Sequence, residues 1–157
     1  MKKLNNDLLH FFREQGCVVV VSIDKNGFPH GSCKGIVHVN RNGKVYLFDL
    51  YRGKTHENLL RNHHVSIIAF DEHKFIGYCL KGKAKVSPEI KLNSKIVKAW
   101  EERIATRITH RLLKNIKEDK GLAAHPELAL PKPKHLIIMD VEEVVNLSPA
   151  PIKTNKG

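Results

Sequence analysis

Four consecutive residues, Arg52-Gly53-Lys54-Thr55, bring together a bidentate cation, a flexible glycine, a point-charge ammonium and a hydroxyl, the parts from which phosphate sites are made. They follow an apolar run, Val45 to Phe48, and precede a short helical pattern, Glu57 to Asn62. Unpaired N–H groups and the helix macrodipole would add to their pull on an anion. The same composition also describes an ordinary solvated turn. Ten histidines raise the question of a metal. A catalytic zinc asks for three N, O or S ligands in a tetrahedral array. His63 and His64 are adjacent and would point apart, and His38, His56, His73, His110, His125 and His135 are scattered. No His-Glu-x-x-His, Gly-x-Ser-x-Gly elbow or Walker loop occurs. No metal is expected, and no acid, base or nucleophile is assigned. His30, just after Pro29, either lies near a substrate or is merely exposed. Cys17, Cys33 and Cys79 cannot all pair and include no Cys-x-x-Cys, so they read as reduced core thiols.

The elements that must position these residues are legible from periodicity. Leu4, Leu8, Leu9, Phe11 and Phe12 predict a helix over about 4 to 15, with Gly16 as a left-handed cap. Cys17 to Ile23 is β-branched almost throughout and leads into Asn26-Gly27; a second strand from about Pro29 to Val39 leads into Asn42-Gly43. Two Asn-Gly turns predict an antiparallel meander of three strands, the third around Val45 to Phe48. Leu59 and Leu60 are expected to face inward from the short helix. Strands follow at Val65 to Phe70 and Phe75 to Val86, and Ser87-Pro88-Glu89 signals a helix start. An apolar residue every four positions, from Leu92 through Trp100 to Ile116, predicts one long helix or two. Gly121 to Pro133 reads as a loop, and a last strand runs from His135 to near Leu147. The expectation is a single, mainly β domain spanning 1–157: a closed or nearly closed six-stranded antiparallel barrel with an N-terminal helix, a helical insertion at about 88–120 and a loose tail at about 148–157.

Composition narrows the partners. The longest apolar run, Cys17 to Val21, is far short of the roughly 20 residues needed to span a bilayer. Membrane insertion is excluded, and with no signal core near Met1 a cytoplasmic location is expected. Lys and Arg number 27 against 16 Asp and Glu, a net charge of +11 with the excess favouring residues 1–87. Such a balance predicts attraction to anions. Trp100 with Arg103, Arg107, Arg111 and Lys114 is a basic ladder that nucleic acid would recognise. Its alternation with Glu101, Glu102, Glu118 and Asp119 reads instead as a solvated face.

Four pieces in order, Val19-Val20-Val21-Ser22-Ile23-Asp24-Lys25-Asn26-Gly27-Phe28-Pro29-His30, Gly43-Lys44-Val45-Tyr46-Leu47-Phe48, Lys54 leading to Asn58 through Ile67, and Leu80-Lys81-Gly82-Lys83-Ala84-Lys85-Val86, give the chain a family likeness. Over about residues 17 to 87 it resembles the pyridoxamine 5′-phosphate oxidase-like split barrels that bind FMN. The resemblance implies a Greek-key split β-barrel and a homodimer with FMN at the subunit interface. It also implies a phosphate held by Lys54, Thr55 and Arg52. Ser32, Cys33, Lys34 and Gly35 would line the ring, with Leu47 and Phe48 facing the same region. FMN comes first, with a related flavin or a deazaflavin as the alternative. The chain departs from the true oxidases at three anchors: Ser32 and Val37 replace an Arg and a Lys, and Gly77 replaces a Gln. Residues 146–157 also lack the substrate-binding Arg and His of those enzymes. Pyridoxamine-phosphate oxidation is therefore not implied. The expectation is an FMN-dependent oxidoreductase acting on a small molecule, with NAD(P)H a possible donor. The other reading is a flavin- or nucleic-acid-binding module without turnover.

Overall fold

A computed structural model describes residues 1–87, 94–117 and 135–150. Helix α1 (Asn6–Glu14) is capped by the Asn5 side chain, which accepts from Leu8 N at 3.0 Å. That bond satisfies one of the first-turn donors left without helical partners. Its other end closes at Gln15 in an extended conformation, and the positive-φ glycines among the described residues are Gly27 and Gly43. Gly16 is thus not a left-handed cap, contrary to expectation. β1 (Val18–Ile23) and β2 (Pro29–Lys34) pair around the first Asn-Gly turn. There the Asp24 carboxylate accepts from Asn26 N at 2.8 Å and Phe28 N at 2.9 Å. β3 (Ile36–Val39) and β4 (Lys44–Asp49) pair around the second. Gly43 is required in that turn twice over: its φ is +79°, and a Cβ would stand 2.2 Å from the carbonyl oxygen of Lys2. The chain start is pinned here, since Lys2 N donates to Val141 O at 2.6 Å and Leu4 is buried.

The remaining elements are α2 (Lys54–Arg61), β5 (His64–Asp71), β6 (Ile76–Ser87), α3 (Ser94–Lys117) and β7 (His135–Asn146). The strands form one antiparallel sheet in the order β2-β1-β5-β6-β7-β4-β3. Among the described residues seven strands stand where six were expected, because the segment predicted as one strand from Pro29 to Val39 breaks at Gly35. Before the break Lys34 pairs with Val18; after it Ile36 pairs with Leu47. The two edges, β2 and β3, are joined covalently through Gly35 but do not pair, so the sheet is not closed by hydrogen bonds. The predicted long helix is α3, while the start predicted for it at Pro88 and the loop predicted over 121–133 lie outside the described residues. So does most of the predicted tail, but its first residue is not loose. Ser148 is buried and its hydroxyl accepts from Gly77 N at 3.3 Å.

Alternation along the strands builds the core. Val18 and Val20 of β1, Ile67 of β5, Leu80 of β6 and Met139 and Val141 of β7 turn inward and pack on Phe12 and Leu59. Burying a side chain of this size stabilises by about 1.5–3 kcal/mol. Leu60 is 67 % exposed, contrary to the expectation that it faced inward with Leu59. A smaller apolar cluster forms beneath α3, where Trp100 meets Phe48 edge-to-face at 5.9 Å beside Leu136. Among the described residues, no helix is long and apolar enough to cross a membrane.

Candidate functional site

The Gly35 break opens a cleft. Because β2 leaves for one neighbour and β3 for another, a wedge of space remains at the junction, and α3 crosses over it. The space is about 250 Å³, with apolar walls from Ile36, Phe48, Leu50, Trp100 and Ile104. Its polar groups are the Cys17 and Cys33 thiols and three cations, Lys34, Arg103 and Arg107. The arginines are on the packed side of α3, while Glu101 and Glu102 are exposed. The basic ladder of that helix is therefore not a uniformly solvated face. Arg103 donates to the carbonyls of Arg13 at 3.2 Å and Gln15 at 2.8 Å, which ties α3 to the end of α1. Burial and neighbouring Arg107 both lower the Arg103 pKa. Arg107 has no hydrogen-bond or ion-pair partner among the described residues, and its guanidinium stands within 4 Å of the Cβ positions of Gly16 and Gly35.

Behind the cleft wall runs a buried polar chain. Asp49, at the end of β4, is 1 % exposed. It receives Lys34 Nζ on one carboxylate oxygen at 3.4 Å and His56 Nδ1 on the other at 2.7 Å. The His56 ring lies 5.6 Å from that of His135, which is itself buried and accepts a hydrogen bond from Arg52 Nε. His135 Nδ1 then faces the Ser87 carbonyl at 3.4 Å. With Nε2 accepting, the network assigns the ring proton to Nδ1. Arg52 has a φ of +46°, a left-handed conformation that costs a non-glycine residue about 1–3 kcal/mol unless its surroundings hold it. The His135 bond is such a hold.

Of the residues predicted to bind a cofactor, Cys33, Lys34, Gly35 and Phe48 line the cleft together. Ser32 points to the other side of β2, where its hydroxyl meets Thr55 Oγ1 at 2.8 Å. Thr55 is 2 % exposed and Leu47 is fully enclosed in the main core. Arg52 is engaged by His135. Lys54 pairs with Glu57 at 3.0 Å on the surface, with its side chain 70 % exposed. It lines a separate depression of about 220 Å³ with His30, Asn58 and Arg61. The predicted phosphate residues and the predicted ring residues do not share one cavity in a single chain. Two cysteines also depart from expectation: Cys17 and Cys33 are exposed, and only Cys79 is a core thiol.

Sequence reading missed Asp49, His56 and His135 as a group, and Arg107 as a cleft residue. A carboxylate closing an apolar strand was the one local signal, since Asp49 directly follows Phe48. The 85 residues between Asp49 and His135 leave no short motif to find. Among the described residues no cluster of three or more His, Cys, Asp or Glu could hold a metal ion.

Comparison with known proteins follows the same lines. HupZ of Group A Streptococcus superposes with a TM-score of 0.67 at 18 % identity, covering 92 % of this chain and 94 % of that one. HutZ, the heme storage protein of Vibrio cholerae, gives 0.53 at 16 % identity over 92 % and 94 %. A Clostridium acetobutylicum protein of the pyridoxinephosphate oxidase family, related to general stress protein 26 of B. subtilis, gives 0.53 at 14 % identity over 95 % and 99 %. At such identities the likeness is one of fold. No curated protein sequence matches the chain. A sequence model described as pyridoxamine 5′-phosphate oxidase, however, matches residues 4–148, well beyond residues 17 to 87. With that match spanning all the strands, the chain belongs to the pyridoxamine 5′-phosphate oxidase family.

Proposed function

We propose that the protein binds a flavin, FMN first and a related flavin or deazaflavin by the same chemistry, and works as an oxidoreductase on a small molecule. The observation that carries this reading is the cleft at Gly35. There an apolar slot walled by Phe48, Trp100 and Ile104 shares its mouth with Arg107, a guanidinium without a hydrogen-bond or ion-pair partner among the described residues. A flat apolar ring with an anionic tail needs such a slot with a cation at its end. Arg107 is assigned to the tail because it shares the cavity; Lys54, which family resemblance favours, does not. The cleft is smaller than the roughly 300–1,000 Å³ of complete ligand sites. A second copy of the chain, covering the open side, would complete it and make the working unit a homodimer.

When bound, the flavin supplies the electron transfer, between a donor such as NAD(P)H and a small acceptor. The chain supplies position and field. Trp100, Ile104 and Phe48 exclude water from the slot, and the Lys34 ammonium, held by Asp49 behind it, favours negative charge at the wall. No side chain has to act as acid, base or nucleophile.

A second reading has its own observation. Two thiols and three cations around an apolar cleft also fit a porphyrin with carboxylate arms, and one structural neighbour is named as a heme storage protein. One measurement separates them. The absorbance spectrum of purified protein, alone and after titration with FMN, riboflavin or hemin, should show flavin bands near about 370 and 450 nm with FMN raising the melting temperature. A sharp Soret band on hemin addition, with no thermal shift from FMN, would overturn the flavin reading in favour of the porphyrin.

A further inference from the structure

The two thiols of the cleft are a pair that the sequence conceals. The β1–β2 ladder sets Val19 opposite Cys33 and ends with Val18 opposite Lys34. Cys17, two residues before Val19, is therefore the diagonal neighbour of Cys33 on the same face of the sheet. That face is the outer one, and both cysteines are exposed. They line the same cleft as Arg107. Burial, and after it contact with Cys33, hold the Cys17 thiol above its ordinary range, while Arg107 pulls it down. Cys17 is accordingly the sulfur that keeps its proton.

We propose that Cys17 and Cys33 form an oxidisable dithiol that a peroxide closes to an intrachain disulfide at the mouth of the cleft. The Cys33 sulfur, giving up its proton, attacks one oxygen of hydrogen peroxide; the O–O bond breaks, the departing oxygen takes up that proton and leaves as water, and Cys33 becomes a sulfenic acid. Cys17 then attacks that sulfur, giving up its proton. The S–O bond breaks, a second water leaves and the S–S bond forms. Two thiols lose two electrons, and one peroxide becomes two waters. Diagonal Cα atoms stand about 7–8 Å apart, slightly beyond the reach of a disulfide. Closure therefore draws the chains together by about an ångström. Cys17 and Gly35 lie beyond the last pair of the ladder, where no strand pairing resists that movement. The chemistry is independent of what the cleft binds.

The test uses the reduced full-length protein and hydrogen peroxide, quenched with catalase and followed by thiol counting after denaturation. Three free thiols should fall to one, that of Cys79, with a linked Cys17–Cys33 peptide lighter by two hydrogens and restored by dithiothreitol. C17S should stop at a sulfenic acid on Cys33 that dimedone traps, and C33S should resist oxidation at Cys17. The proposal is overturned if peroxide leaves both cysteines free, adds oxygen to them without a linked peptide, or links them only between chains on a non-reducing gel.

Discussion

His56 Nδ1 stands 2.7 Å from a carboxylate oxygen of Asp49, a side chain only 1 % exposed that also receives Lys34. The pair couples the entry to α2 to the wall of the cleft, through a carboxylate almost wholly enclosed by the chain. A buried carboxylate with two cationic or hydrogen-bonding partners stabilises the fold only while the set is complete.

Asp49→Ala strands Lys34 and His56, and should destabilise the protein by about 3–5 kcal/mol, the usual cost of removing one member of a buried pair. Asp49→Asn keeps one acceptor and should cost less. Urea midpoints measure both. An unchanged midpoint for the alanine variant would show that the chain of contacts carries no stability.

The anionic tail of a flavin can be assigned to Arg107 or Lys54 by comparing two ligands. Arg107→Ala should weaken FMN roughly ten- to a hundredfold, as expected for a lost charged hydrogen bond of about 1.5–3 kcal/mol, and leave riboflavin unaffected. Lys54→Ala should change neither. Calorimetric titration that shows the reverse pattern moves the phosphate to the α2 entrance.

Trp100 is the single tryptophan of the chain and lies in the cleft against Phe48. Its emission is therefore a report on the site alone. Saturating FMN should quench most of it through energy transfer to the ring, and Trp100→Phe should bind more weakly by several-fold, through lost stacking area. Emission that ignores FMN places the ligand elsewhere.

Burial, and then the charge of Arg13, lower the pKa of His38 in the folded chain. The unfolded chain therefore holds more protons on this residue in the window below its ordinary value of about 6.5. Stability must then rise with pH through that window and fall on acidification. The urea midpoint of the parent should drop more between about pH 7 and pH 5 than that of His38→Gln. Parallel pH profiles would remove His38 from the acid response.

Local chemistry was legible where one stretch of chain decides the outcome. The β-branched run at Val18–Ile23, the two Asn-Gly turns and the four-residue stripe of α3 each produce their element through backbone preference and alternation alone. Cys33, Lys34 and Gly35 are consecutive residues at the end of β2 and the break after it, so one stretch of chain brought them to the cleft together. What stayed hidden depends on pairing between distant segments. The exchange of partners at Gly35 split one predicted strand into two and opened the cleft, a result of which neighbour each half finds in the sheet. Leu60 turned outward because adjacent positions of a helix lie about 100° apart, and α2 met the sheet through Leu59. Arg107 faces inward because α3 crosses the break, and Asp49 met His56 and His135 because β4 pairs with β7. Such contacts join residues far apart in sequence, and no periodicity encodes them; only the packed sheet brings their charges within a few ångströms.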